Sequence, residues 1–65
     1  MTTNPIRPRV LVVDDEAGMR ELLEIVLGNE GYDVKTAGDV TSAQNVLQEQ
    51  HFDCLITDLR FGAQR

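Results

Sequence analysis

A chain of 65 residues with a net charge of −5 is at most one small domain, and its acidity argues against direct nucleic-acid contact, which needs a basic face. Chains this short bury about 60% of their unfolded surface, so any core is small and stability is marginal. Only four apolar residues follow "MTTNPIRPR" before charge returns, too few for a signal-peptide core or a membrane span, so the reading is a cytoplasmic protein.

Residues 1–8 are polar, with Pro5 and Pro8, and are expected to form a loose N-terminal arm. Residues 9–13, "RVLVV", form an apolar run without alternation, as in a strand buried on both faces of a parallel sheet. From Glu16 to Asn29 the spacing turns helical, with Met19, Leu23, Val26 and Leu27 on one face. Asp15 is the expected N-cap, Glu16 favours the positive end of the helix dipole, and Gly31 suits the stop. Arg20 is read as a surface residue paired with Glu24 or Glu16.

Residues 32–37, "YDVKTA", alternate like a one-sided or edge strand. Asp39 then caps a second helix reaching about Gln50, with Val40, Ala43, Val46 and Leu47 facing inward. His51 falls in a polar connection and is expected in solvent. Residues 53–58, "DCLITD", form a third strand, in which the single cysteine, Cys54, is expected to be a buried, reduced thiol. The order β-α-β-α-β predicts an α/β fold with parallel strands; in a 2-1-3 order the uniformly apolar first strand lies in the middle, and right-handed crossovers then put a helix on each face.

Functional groups in open parallel sheets gather at the carboxyl ends of the strands. Asp14 and Asp15 close the first strand and Asp58 closes the third, its neighbour in this order. Three carboxylates in one cleft repel unless a hard cation lies among them, and Mg²⁺ suits oxygen ligands. Asp53 stands at the opposite end and is outside this cluster.

The stretches "VLVVDDEAGMRELLEIVLGNEGYDVKTA" and "FDCLITDLR" resemble the N-terminal half of a bacterial response-regulator receiver domain, over about residues 9–61. The acidic pair, the "GY" before the second strand and the "TDL" after the third each match in register. "DDEAGMRELLE" with "ITDLR" is most similar to receivers of the nitrogen-regulation type, which control sigma-54-dependent activators. The resemblance implies a CheY-like, flavodoxin-like half domain over residues 9–65, lacking the last two β-α units. It makes Asp58 the phosphoacceptor for a histidine kinase, with no other enzymatic role. Asp15 would ligate Mg²⁺ directly, Asp14 directly or through water, and the Arg60 backbone carbonyl would add a ligand. The exposed face of the first helix, Gly18, Leu22 and Ile25, would meet the kinase. Leu22 and Ile25 also give that helix more apolar surface than one core face needs.

A receiver of this kind also carries a Ser or Thr after its fourth strand and a Lys after its fifth, both contacting the phosphoryl group. Neither has a counterpart in these 65 residues: the only lysine, Lys35, lies on the second strand, and "RFGAQR" replaces the usual Met-Pro-Gly stretch. Phosphotransfer is therefore expected to be impaired. The third strand would be an open apolar edge, which recruits other strands. Two copies pairing through residues 53–57 would form a homo-oligomer. The alternative function is a half-receiver, not phosphorylated, that self-associates or binds a partner.

Overall fold

The computed structural model describes residues 7–57. The arm over residues 1–6 and the segment from 58 to 65, with Asp58 and Arg60, lie outside the described residues. Within them the elements run β1 (Arg9–Val13), α1 (Ala17–Asn29), β2 (Asp33–Ala37), α2 (Val40–Glu49) and β3 (Cys54–Thr57). Both pairings are parallel and the strand order is β2-β1-β3, with the most apolar strand in the middle as expected.

The unbroken apolar run puts β1 at the centre. Val10, Leu11, Val12 and Val13 are all buried, which requires cover on both faces because alternate side chains point opposite ways. Leu11 and Val13 pack with Ala37 of β2 and Ala43 of α2, backed by Val46 and Phe52. The other helix, α1, contacts β1 and β2.

The amino edge of the sheet is closed by carboxylates. Asp53 Oδ2 accepts the Arg9 backbone N–H at 2.8 Å, while the Asp53 N–H donates to the Arg9 carbonyl at 2.8 Å. Arg9 Nε also lies 3.6 Å from Asp33 Oδ2 in a half-exposed pair, a geometry of little net worth in water.

The helix ends follow their local chemistry, with one correction. α1 stops where Gly31 takes φ +98°. There the Gly31 N–H donates to the Gly28 carbonyl and the Tyr32 N–H to the Leu27 carbonyl, both at 3.1 Å, the Schellman pattern that a glycine permits. At its start the N-cap is Glu16, without a side-chain cap bond, and not Asp15. The carboxylate that serves this end is Asp14, whose Oδ1 accepts the Glu16 N–H at 2.9 Å.

The predicted inner faces of the helices are narrower in the structure. No residue of α1 is buried; Leu23 and Leu27 are half-buried while Met19 and Val26 are exposed. In α2, Ala43 is buried and Val46 half-buried, but Val40 and Leu47 are exposed. A three-stranded sheet offers each helix a strip only wide enough for residues three or four apart. Cys54 is likewise exposed, not buried, and so is Leu55. Among the described residues neither helix contacts β3, so only β1 shields that strand. His51 is exposed, as expected.

Leu11→Ala should destabilise the chain by about 2–5 kcal/mol, enough to abolish cooperative unfolding in a domain of this size. Leu47→Ala should shift stability by no more than about 0.5 kcal/mol. Urea titration followed by circular dichroism checks both.

Candidate functional site at the carboxyl edge of the sheet

The site is built at the carboxyl end of β1, where the chain leaves the buried strand. Asp14 follows Val13 directly and is 7% exposed, so its carboxylate stands at the rim of the core. Its backbone N–H donates to the Ala37 carbonyl at 3.1 Å, prolonging the β1–β2 ladder by one bond. Its carbonyl accepts from Arg20 Nη1 at 2.6 Å, and its Oδ1 accepts the Glu16 N–H. The second oxygen, Oδ2, accepts no hydrogen bond from the described residues. Asp15 is exposed and follows in the loop.

On the other side of β1, Val13 is in register with Thr57 of β3. The ends of β1 and β3 therefore lie level at one sheet edge. Asp58 and the Arg60 carbonyl come after Thr57 in sequence and lie outside the described residues. Asp53 sits at the amino edge with Arg9, apart from Asp14, as expected. Lys35 pairs in register with Leu11, inside the sheet, and is exposed. Gly18, Leu22 and Ile25 are all exposed on α1, and their spacing puts them on one face.

The donor set fits Mg²⁺. Asp14 and Asp15 offer carboxylate oxygens alone, one of them a buried group with an uncommitted oxygen, and Mg²⁺ keeps several waters beside one or two carboxylates. Among the described residues no group of three metal-ligating side chains is assembled; Asp14 and Asp15 are the candidate ligands that lie within them.

Sequence reasoning missed Arg20. Instead of a surface pair with Glu16 or Glu24, its guanidinium is half-buried and turns back over the loop to Asp14. A signal was present: a cation in the first turn of a helix opposes the dipole, which favours anions there. Such a residue needs a partner, and the Asp14 carbonyl is that partner. The same guanidinium lies against Gly38, where an added Cβ would meet Nη1 at 3.0 Å. The next residue, Asp39, caps α2 by accepting the Ser42 N–H through Oδ1 at 2.7 Å. The hydrogen bonds from Ser42, backbone first, hold the Asp39 carboxyl below its ordinary range, with a smaller contribution from the charge of Arg20.

Comparison with known proteins agrees with the fold. The profile of the family described as "Response regulator receiver domain" matches residues 10–64. The chain is similar to the response regulator protein PilR of Pseudomonas aeruginosa, 44% identical over 54 residues, covering 83% of this chain and 12% of that protein. It is equally similar to the DNA-binding response regulator MtrA of Mycobacterium tuberculosis, 44% identical over 54 residues, covering 83% of this chain and 24% of that protein. Among solved structures, the chemotaxis response regulator CheY4 of Vibrio cholerae superposes with a TM-score of 0.83 at 32% identity, over 91% of this chain and 49% of that one. The chain thus spans about half the length of that structure and a quarter or less of the two regulators. No helix among the described residues is long and apolar enough to cross a membrane.

Asp39 supplies a pH signature. Its carboxyl titrates lower in the folded chain than in the unfolded one, so its contribution to stability is present above the ordinary carboxylate range. That contribution is lost as pH falls through the folded value. Asp39→Asn should keep a capping oxygen but remove this part of the acid dependence, so thermal melts between about pH 2 and 5 should fall less steeply than in the native chain.

Proposed function

The chain belongs to the response regulator receiver domain family, and on that premise we propose that Asp58 accepts a phosphoryl group from a histidine kinase, with Asp14 and Asp15 providing a Mg²⁺ site beside it. The observation that carries this reading is the register of Val13 with Thr57, with Asp14 buried directly after Val13. Asp58 follows Thr57 directly in the sequence, and strands in register deliver their next residues to one edge.

In the proposed transfer, the Asp58 carboxylate attacks the phosphorus of a phosphohistidine in line. A new O–P bond forms as the P–N bond breaks, and the imidazole nitrogen takes the electron pair. Asp14, Asp15, Asp58 and the Arg60 carbonyl would hold Mg²⁺, which when bound supplies neutralisation of charge on the transferring group. Asp14 enters with its backbone and one oxygen already held, and Oδ2 accepts no hydrogen bond from the described residues. The kinase docks on Gly18, Leu22 and Ile25 of α1, where Leu22 is 52% and Ile25 59% exposed. In the cell the module works in the cytoplasm and regulates transcription.

A second reading rests on β3. Among the described residues this strand pairs only with β1, and its Leu55 is 51% exposed. Such an edge recruits another strand, so a half-receiver of this kind self-associates through residues 53–57 without being phosphorylated.

Incubation with acetyl phosphate and Mg²⁺ separates the two. The first reading expects one added phosphoryl group by intact mass, lost in Asp58→Asn and on removal of Mg²⁺; labelling that survives Asp58→Asn sinks it. An unlabelled chain that sediments as a dimer, dispersed by Leu55→Lys, establishes the second. For docking, Leu22→Ser with Ile25→Ser should slow transfer from a phosphorylated kinase by about tenfold while leaving acetyl phosphate labelling unchanged. Equal slowing of both routes counts against a docking role.

A further inference from the structure

Arg20 and Gly38 meet over the loop that carries the acid pair, and that meeting has its own chemistry. Arg20 Nη1 donates to the Asp14 carbonyl at 2.6 Å, one of three contacts that fix this residue; the others are the Asp14 N–H to Ala37 and Oδ1 to Glu16. The guanidinium reaches that carbonyl by passing over Gly38. An ideal Cβ there would stand 3.0 Å from Nη1, 3.4 Å from Cζ and 3.7 Å from Nη2. Gly38 does not have a positive φ, so the backbone does not require glycine at this position. What the missing side chain provides is room for Arg20.

We propose that Arg20, admitted by the absence of a side chain at Gly38, is a positioning residue that latches the loop after β1 and holds Asp14 ready for a divalent cation. The cation's identity as Mg²⁺ rests on the phosphoacceptor reading above. Two effects of Arg20 on such a cation have opposite sign. Its positive charge repels the ion, whereas its hydrogen bond to the backbone carbonyl fixes the residue whose carboxylate receives it. The guanidinium charge is delocalised and turned onto the Asp14 carbonyl, whose dipole offsets it locally, while the bond is short, charge-assisted and half-buried. Positioning therefore dominates.

Gly38→Ala tests this without changing any charge, since its new Cβ, 3.0 Å from Nη1, makes the end of Arg20 give by a few tenths of an ångström and strains its bond to Asp14. In the 65-residue chain, Mg²⁺ titration followed by amide shifts should show binding weakened by about three- to tenfold in both Gly38→Ala and Arg20→Ala, less than the full worth of one charge-assisted hydrogen bond because the bond holds the ligand and not the ion. In the double variant Gly38→Ala should add nothing to Arg20→Ala, because the two act through one contact. Without metal, the Glu16 amide should exchange at least about threefold faster in both single variants. Mg²⁺ affinity within about twofold of native in Gly38→Ala, additive losses in the double variant, or tighter binding in Arg20→Ala each overturn the proposal. A native chain that binds no Mg²⁺ refutes the phosphoacceptor reading instead; the latch is then judged on Glu16 exchange, where faster exchange in Gly38→Ala upholds it and unchanged exchange overturns it.

Discussion

Burying one short strand on both faces and both edges at once is the constraint from which the rest of this structure follows. Val10 to Val13 have no polar side chain to offer water, so β1 must be flanked by β2 and β3 and covered above and below. Parallel neighbours require crossovers, and the right-handed crossover sends the helices to opposite faces. The apolar run also ends abruptly. Asp14 therefore stands at the last point where the core can hold a residue and the first where a carboxylate can reach solvent.

That position explains how two adjacent acids are tolerated. Asp14 is buried but not isolated, because its backbone N–H, its backbone carbonyl and one side-chain oxygen are all committed to neighbours. The commitments come from two elements: β2 through Ala37, and the start of α1 through Arg20 and Glu16. Asp15 meanwhile stays in solvent, so the two charges are not both removed from water. The pair differs in environment as much as in position, and this asymmetry suits one acid to rigidity and the other to adjustment.

Much of this was legible in the residues. The β1 run, the Asp39 cap and the Gly31 stop are local signals, each with a mechanism that acts within a few positions, and all three appear as read. The strand order came from handedness together with the greater apolarity of "VLVV". The misreadings share a different cause. Val40, Leu47, Met19 and Val26 fit an inward helical stripe, but how much of a stripe is covered depends on the width of the sheet beneath. Cys54 looked buried because its neighbours are apolar, yet an edge strand exposes apolar residues that a central one would hide. Arg20 depends on a contact with Gly38 across two loops, which periodicity along one helix does not reveal. At the candidate site, Asp14 was expected at this edge as a ligand, but its role as the residue serving the start of α1 was assigned to Asp15.

The pairing of this sheet also bears on how the chain folds. The hydrogen-bonded residues Arg9 and Asp53 are 44 positions apart, and β1 has no hairpin partner close by in sequence. A chain whose sheet consists only of such distant pairings pays loop-closure entropy before any pairing rewards it, so it folds more slowly than a helical chain of equal length. During synthesis β1 emerges before both of its partners and waits unpaired until β2, and then β3, have left the ribosome. For that interval "VLVV" is the stretch of this protein that a chaperone has most reason to cover.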